Sequence, residues 1–313
     1  MKPTGILIIA MGGHLRIQEA RANLRAIRRI WPQAPITIMT STPAHFIGDQ
    51  FDHWAQCGGI RGPWEPVVGP GPELLELTNQ GPITSAQTWA EGDRGPISPG
   101  ADYGRTEVVW VQDFGGFKNQ THYVFKTPYE RTLHLDCDAI PIHRDAFQPF
   151  HLLGRYDFVA AHAAARGFRP QYPGIPVPFV QWNCGVMFYS RSMLPILRWW
   201  DDHYVLHTNP QGPLCRLIYL DGLDGPRPWR GESEGRGVNT PAHDPVQVYT
   251  LAAEWNYRGG HPQVQWPLHI RILHTHAAQS FILPDGTLNR DAFLRWFHHT
   301  NITRLKAEGR VKC

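Results

Sequence analysis

The chain has 313 residues, and its composition already excludes several classes of protein. Hydrophobic residues make up 42% and charged residues 18%, which is typical of a globular domain and not of a disordered chain. The formal net charge of +3 is too small for a protein that coats duplex nucleic acid. The 30 glycines and 28 prolines indicate long irregular segments and argue against a helical bundle.

The cysteines and the apolar segments bear on the compartment. The five cysteines are odd in number and form no Cys-x-x-Cys pair, which argues against a disulfide framework and a zinc ribbon: Cys57, Cys137, Cys184, Cys215 and Cys313. No segment approaches the roughly 18 apolar residues of a membrane span. The apolar run at residues 5–11 is too short for a signal peptide. We therefore expect a cytoplasmic protein.

The N-terminal 40 residues predict a βαβ unit. Residues 5–11 form a continuous apolar run, which is typical of a strand buried on both faces. Apolar residues then recur at positions 17, 20, 24, 27 and 31 with arginines between them, and this helical spacing ends at Pro32. Residues 35–40 predict a second strand, so the two strands should be parallel.

Strands and helices continue to alternate beyond a Gly/Pro-rich excursion at residues 58–106. Strands are predicted at 108–111, 131–135, 157–161, 185–189 and 270–273, with a final helix at 291–306. Ser192 is the expected N-cap of a helix that runs through Tyr204. Asp244 is the expected N-cap of a short helix that begins at Pro245 and extends to Ala253. Residues 209–243 predict a second long loop. The pattern indicates a single α/β domain over 1–313, with a mostly parallel sheet flanked by helices.

Two aspartates supply the most informative polar pattern. Asp136 and Asp138 follow the apolar strand at 131–135, and residues two apart on a strand share a face. At the carboxyl end of a parallel strand they would lie where open α/β sheets bind ligands. Converging carboxylates favour a hard cation such as Mg²⁺ or Mn²⁺ between them. A bare Asp-x-Asp triplet occurs by chance about once in such a composition, so its context decides its meaning.

That context resembles a known family. The segment Tyr123-Val-Phe-Lys-Thr-Pro-Tyr-Glu-Arg-Thr-Leu-His-Leu-Asp-Cys-Asp138 resembles a stretch of GT-A-fold glycosyltransferases, and is most similar to the glycogenin-like and lipopolysaccharide-galactosyltransferase-like group. Four further landmarks follow in that family's order: Asn183-Cys-Gly-Val-Met-Phe188, Asp244-Pro-Val-Gln247, Leu251–Arg258 and Ile272-Leu-His-Thr-His276. The resemblance implies a GT-A-like fold and transfer of a sugar from a nucleotide-diphosphate sugar, with a UDP-sugar favoured, to an acceptor hydroxyl.

The resemblance also implies a metal site. Asp136 and Asp138 would hold Mn²⁺ or Mg²⁺ with His274 as the third ligand, and a histidine beside two carboxylates suits Mn²⁺ somewhat better. His276 is the rival ligand, and a core role for His274 stays open. The cation would stabilise the charge that develops on the departing nucleoside diphosphate.

Further roles concern the donor. The family's nucleotide-binding edge corresponds to Ala10, Met11 and Gly12, where small residues let a nucleotide approach the backbone. Lys118 would assist at a phosphate, unless it is simply a solvated lysine. Asn183 would face the donor sugar, unless it is a turn residue.

Gly185 would face the donor sugar as well, and two other residues are assigned near the reacting carbon. These are Asp244 and Gln247, although a plain N-cap role is the stronger alternative for Asp244. The stereochemical outcome stays open, because only an inverting enzyme needs a carboxylate to deprotonate the acceptor.

Two departures from the family pattern are visible. The usual His-x-x-Gly-x-x-Lys-Pro-Trp tail is replaced by Thr275-His-Ala-Ala-Gln-Ser280 after His274, so the closing phosphate-binding lysine is missing. Residues 58–106 have no family counterpart and are interpreted as a possible acceptor lid. Within and before this segment, three tryptophans are candidate stacking platforms, unless they are simply core residues: Trp54, Trp64 and Trp89.

Three other functions remain as alternatives. A sugar-phosphate nucleotidyltransferase would share the sheet and the metal carboxylates, but the sequence at 12–16 is a poor version of its glycine-rich loop. A non-catalytic carbohydrate-binding protein would use a degenerate transferase scaffold. A nucleic-acid acceptor is a minority option, suggested by the arginines of the 15–31 helix.

Overall fold

A seven-stranded sheet forms the centre of the computed structural model, which describes residues 2–42, 46, 106–162, 182–204, 211–220, 246–259 and 267–307. Its strands are β1 (Lys2–Ala10), β2 (Ile36–Thr40), β3 (Thr106–Trp110), β4 (Tyr129–Leu135), β6 (Phe158–His162), β7 (Trp182–Ser190) and β8 (Val248–Leu251). A separate two-stranded sheet pairs β5 (Ala139–Pro141) with β9 (Ile272–His274).

The strand order of the large sheet is β3-β2-β1-β4-β7-β6-β8. Its neighbours pair in parallel, except that β7 runs antiparallel to both β4 and β6. The carboxyl ends of β1 and β4 therefore lie at the same edge as the amino end of β7. This confirms the predicted α/β class with a mostly parallel central sheet, and it brings three polar chain segments to one edge.

Five α-helices accompany the sheet in the described residues: α1 (His14–Ile30), α2 (Gly116–Val124), α3 (Leu194–Asp202), α4 (Gln211–Leu220) and α5 (Arg290–Ala307). One core cluster joins the apolar stripe of α1, including Ile17 and Leu24, to Ile6 and Ile8 of β1. A second joins Leu7 and Ile9, on the other face of β1, to α3 and α4. Successive residues of β1 thus point into two cores, which explains its continuous apolar run.

Helix α1 is buried on a second side as well. Ala22 and Ala26 join a third cluster with Phe293 and Phe297 of α5. Small residues at these positions allow close packing between α1 and the segments around β5 and β9. The helix is therefore held from two sides, and its polar residues Glu19 and Asn23 are fully buried as well.

The predicted βαβ unit, the strands and the final helix are confirmed with small shifts of their ends. The predicted loop at 209–243 is wrong in part, because α4 occupies 211–220. The predicted helix between Asp244 and Ala253 is also wrong, since β8 forms there and pairs in parallel with β6. An Asp-Pro dipeptide is a local signal, and here the pairing with β6 overrides it.

Ser192 is not the N-cap that the sequence predicts. The chain enters a 3₁₀ turn at Arg191–Met193 after Ser190, and α3 begins at Leu194 with proline in its first turn. The Ser192 hydroxyl instead donates a hydrogen bond to the carboxylate of Asp157. The cap prediction fails because a carboxylate from the neighbouring strand competes for the hydroxyl.

Several predictions lie outside the described residues. These are the excursion at 58–105, the tryptophans Trp54, Trp64 and Trp89, the part of the second loop at 221–243, Asp244, and the cysteines Cys57 and Cys313. The three cysteines within the described part, Cys137, Cys184 and Cys215, are buried free thiols. Among the helices of the described part, none combines the length and apolarity that a bilayer span needs.

Candidate metal centre

The turn after β4 carries both aspartates. β4 ends at Leu135, so Asp136 and Asp138 follow the strand as predicted, but they lie in the turn before β5 and do not share a strand face. The turn is fixed from two sides, because Asp136 N–H donates to Gly185 O at 2.8 Å and Thr275 N–H donates to Asp138 O at 3.0 Å. Asn23 of α1 also donates to Asp136 O and Ala139 O. These backbone contacts hold the two carboxylates in place.

The two carboxylates converge on His274. Its Nε2 lies 3.6 Å from Asp136 Oδ2 and 3.4 Å from Asp138 Oδ1. One ligand atom from each of the three residues lies within 4.8 Å of the others. The side chain of Asp138 is 8% exposed and that of Asp136 is 32% exposed, so the cluster is buried on one side and open on the other. Pairing of Ala139 with His274 across β5 and β9 brings the histidine to this place.

His274 is oriented by Asn256. The Nδ1 of His274 lies 2.7 Å from Asn256 Oδ1, and both residues are buried. Because the amide oxygen is an acceptor, Nδ1 carries a proton, and Nε2 is the nitrogen that faces the carboxylates. Metal-binding histidines are commonly oriented by such an outer partner. The contact fixes which nitrogen of His274 faces the two aspartates.

Gly185 keeps space open beside the cluster. A Cβ atom at this position would lie 2.3 Å from His274 Cε1 and 2.4 Å from Asp136 Oδ2. The N–H of Gly185 donates a hydrogen bond to Asn183 Oδ1 at 2.8 Å, which fixes the strand beside it. Only glycine fits here without displacing two of the three converging side chains.

Asp136 has two further partners on its buried side. Gln120 Nε2 of α2 donates to Asp136 Oδ1 at 3.0 Å and to Cys184 O at 2.9 Å. The Nε2 of His134, a fully buried residue of β4, lies 3.3 Å from the same carboxylate oxygen. One oxygen of Asp136 is therefore occupied by these partners, and the other faces His274.

A second set of ionisable side chains, His276, Glu19 and Arg16, lies next to Asp138. His276 Nδ1 lies 3.0 Å from Asp138 Oδ2 and 3.0 Å from Glu19 Oε1. Glu19, Asp138 and His276 also come close enough to share a cation. However, the Arg16 guanidinium already lies 2.9 Å from Glu19 Oε2, so Glu19 has its own positive partner. His276 therefore stands in a second group with Glu19, which shares Asp138 with the His274 group.

The surrounding positive groups favour the ionised form of Asp138. Burial by itself raises the pKa of this carboxyl group, but the hydrogen bond and charge of His274 outweigh it, together with the charges of His276 and Arg16. The net effect holds the pKa of Asp138 below its usual range. At neutral pH the residue is thus a carboxylate, which is the form that binds a cation.

This donor set fits a divalent cation. It offers two carboxylates and one imidazole nitrogen that faces them, within a space that a Cβ at position 185 would fill. Oxygen-rich sites with one imidazole suit Mn²⁺, and a purely oxygen site would suit Mg²⁺ better. The residues present are therefore consistent with the expected metal.

Some of the other residues that the sequence assigns to the donor lie at the same edge of the sheet. Ala10 ends β1 and is buried, Met11 is 9% exposed, and Gly12 follows with a positive φ of 97° and is exposed. The register pairs Ile8 with Leu135, so these residues lie level with the aspartate turn. Asn183 belongs to β7, so its alternative as a turn residue is wrong.

Lys118 and Gln247 are not brought to the cluster. The Lys118 ammonium lies 2.5 Å from Asp201 Oδ1 of α3 and also donates to Asp201 O. Gln247 precedes β8 and pairs with Asp157 through backbone hydrogen bonds at the opposite edge of the sheet. That edge is level with Ser190, five residues along β7 from Gly185, which corresponds to about 16 Å.

Sequence reasoning missed the residues that support the cluster: Arg16, Glu19, Asn23, Gln120, His134 and Asn256. Asn256 lies within the Leu251–Arg258 landmark, so that segment was a usable signal for it. Glu19 and Asn23 lie near Ala22 and Ala26, the small residues through which α1 is buried on its second side. Nothing in the sequence distinguishes Gln120 from a solvated glutamine.

Comparisons with known proteins return structural similarity only. Neither a family model nor a curated protein matches the chain. Among solved structures, the glycosyltransferase GlyE of Streptococcus pneumoniae TIGR4 is similar with a TM-score of 0.48 and 13% identity, over 99% of this chain and 64% of that one. The chain thus spans less than two thirds of the length of that structure.

The galactosyltransferase LgtC, in complex with donor and acceptor sugar analogues, is similar with a TM-score of 0.41 and 11% identity, over 98% of this chain and 100% of that one. The bifunctional IspDF of Campylobacter jejuni has a TM-score of 0.36 and 6% identity, over 80% of this chain and 50% of that one. Glycosyltransferases, the proteins whose motifs this chain resembles, are thus among its structural neighbours.

Proposed function

We propose that the chain is a metal-dependent glycosyltransferase that moves a sugar from a nucleotide-diphosphate donor, with a UDP-sugar favoured, to an acceptor hydroxyl. The observation that supports it most is the convergence of Asp136, Asp138 and the oriented His274 at the carboxyl edge of a parallel sheet. Ligands of open α/β sheets bind at this edge. The motif resemblance supports the type of reaction, and the convergence of the three side chains supports the position of the site.

In this proposal the three residues hold Mn²⁺ or Mg²⁺. When bound, the cation supplies positive charge to a leaving diphosphate. Asp138 is held as a carboxylate by its positive neighbours, and Asn256 directs His274 Nε2 towards the two aspartates. Little rearrangement of these side chains is therefore needed for binding, and Gln120 limits rotation of Asp136.

The donor would lie across the ends of β1, β4 and β7. The exposed Gly12 after β1 presents backbone without a side chain, which suits the approach of a nucleotide. Gly185 on β7 leaves room beside the cluster, where the diphosphate and the sugar would lie. In this proposal Asn183 acts by fixing the strand at Gly185, because its amide oxygen is already bound to that backbone N–H.

The missing lysine of the usual family tail has no substitute in Lys118, whose ammonium is paired with Asp201. Among the described arginines and lysines, Arg16 comes near the cluster, 3.7 Å from Asp138 Oδ1, and its side chain is 42% exposed. We assign it a place beside the diphosphate. Asp244 remains a proposed residue near the reacting carbon.

The test is Asp138→Asn, which keeps the shape and removes the charge. We expect affinity for Mn²⁺ to fall by roughly 100-fold or more, because a ligand carboxylate in a mostly buried site is lost. Isothermal titration with Mn²⁺, and thermal shifts with nucleotide sugars in the presence and absence of Mn²⁺, measure it. Transfer of the sugar from the donor that gives a shift should be abolished.

Asp157→Asn is the matched control, since Asp157 lies at the opposite edge of the sheet. It should leave metal binding and donor shifts unchanged. Full transfer by Asp138→Asn in the presence of EDTA would contradict the proposal. Release of pyrophosphate from a nucleoside triphosphate and a sugar phosphate would instead identify a nucleotidyltransferase.

A further inference from the structure

A polar groove lies beside helix α1, away from the aspartates. Its volume is about 360 Å³, and it is lined by Gln18, Arg21, Arg25, Gln279 and Ser280. Two guanidinium groups and two amides provide hydrogen-bond donors, and no acidic side chain is among these lining residues. The groove therefore has the opposite charge from the aspartate cluster.

The groove and the cluster occupy opposite sides of α1. Arg16, Glu19 and Asn23 contact the cluster or its turn, whereas the groove residues of α1 are each two positions further along the chain. Two residues correspond to about 200° around an α-helix. A ligand in the groove would therefore not compete with one at the aspartates, and the two sites can be tested separately.

The arginines of α1 differ in their partners. Arg28 donates to Pro32 O and Ala34 O, and Arg16 is paired with Glu19. Arg25 differs from both, because its buried Nε has no hydrogen-bond acceptor within the described part of the chain. Burial and the positive charge of Arg21 lower the pKa of Arg25, so a like charge lies close to it.

Like charges one helical turn apart destabilise a helix. A bound anion would reverse this effect, because each guanidinium can donate two parallel hydrogen bonds to an oxyanion. The Ser280 hydroxyl donates to Ala277 O at 2.6 Å, so the donors facing the groove come from the arginines and the glutamines. This donor set matches a group with several oxygens and more than one negative charge.

We propose that this groove is an anion-binding site that takes a phosphate group, either free phosphate or a phosphate monoester on a larger ligand. Its arginines act as a pair, with the half-buried Arg25 supplying one guanidinium group and Arg21 the second. The site is independent of the metal and of the proposed transfer reaction. It would let the protein bind a phosphorylated ligand on the far side of α1 from the aspartates.

The experiment measures binding of inorganic phosphate and of a sugar phosphate monoester to the full chain by isothermal titration. EDTA and constant ionic strength are used throughout, so that no metal at the aspartates can hold the phosphate. We expect saturable binding that weakens at least 10-fold in Arg25→Gln. Arg198→Gln on α3, an exposed arginine outside the groove, removes the same charge and should bind as the original chain does.

Arg25→Lys keeps the charge without the planar fork and should lose part of the affinity, so the role of Arg25 can be measured even if Arg25→Gln folds poorly. Tighter binding of the monoester than of phosphate would identify a larger phosphorylated ligand, and equal binding would identify the free ion. Absence of binding by the original chain would overturn the proposal. Equal affinity in Arg25→Gln and Arg198→Gln would overturn it as well, because binding would then depend on net charge alone.

Discussion

The two edges of the central sheet both carry aspartates, but they use them differently. At the amino edge, Asp157 accepts hydrogen bonds from the hydroxyls of Ser190 and Ser192 and from Gln247 N–H. At the carboxyl edge, Asp136 and Asp138 both lie close to the Nε2 atom of one imidazole, that of His274. The hydrogen bonds of Asp157 tie neighbouring chain segments together. The carboxylates of Asp136 and Asp138 instead leave a space between them that suits a cation. The type of partner, and not the aspartate itself, separates a structural carboxylate from a candidate metal ligand.

Gly185→Ala should have the largest effect, because it fills the space that distinguishes the carboxyl edge from the amino edge. The new methyl group would overlap with His274 and Asp136, so both side chains would have to move. Overpacking of this kind costs about 1–3 kcal/mol of stability. We expect a loss of Mn²⁺ affinity greater than the roughly 10–100-fold that follows removal of an outer partner, because two ligands are displaced together. Titration with Mn²⁺ and thermal unfolding measure the two effects.

Gly154→Ala is the matched control, since a Cβ there has no heavy atom within 4 Å. It should change neither metal affinity nor stability by a measurable amount. If Gly185→Ala bound Mn²⁺ as the original chain does, the open space at position 185 would have no role in metal binding.

Much of this fold could be predicted from local patterns, whereas much of the site could not. The apolar run of β1 and the 3–4 spacing in α1 depend on burial that repeats along the chain, so a sequence displays them. β8 depends on its pairing with β6, and the Asp244-Pro245 signal beside it pointed to a helix. Gln120 and Glu19 are polar residues on helices that would otherwise be assigned to solvent. Their burial is set by chain segments distant in sequence, which no local pattern reveals.

Asn256→Ala should have the next largest effect. It removes the acceptor for His274 Nδ1–H, so the imidazole loses the bond that directs Nε2 at the aspartates. Loss of such an outer partner typically weakens metal binding by roughly 10–100-fold. Asn256→Asp keeps an acceptor oxygen and should retain most of the affinity. If both variants fold and lose Mn²⁺ binding equally, orientation of the imidazole is not the reason that Asn256 lies there.

Arg16→Gln should have the smallest effect, and in the opposite direction. The guanidinium lies 3.7 Å from Asp138 Oδ1 and is partly exposed, so it repels a cation at the cluster through a partly solvated environment. Its removal should therefore raise Mn²⁺ affinity by roughly 3–10-fold, in keeping with a screened interaction of about 1 kcal/mol. Affinity for a nucleoside diphosphate should fall in the same variant, because Arg16 is proposed to lie beside the phosphates. Arg198→Gln serves as the charge-matched control in both titrations. Weaker Mn²⁺ binding in Arg16→Gln would show that the arginine holds Asp138 and Glu19 in position, since loss of repulsion alone can only strengthen binding.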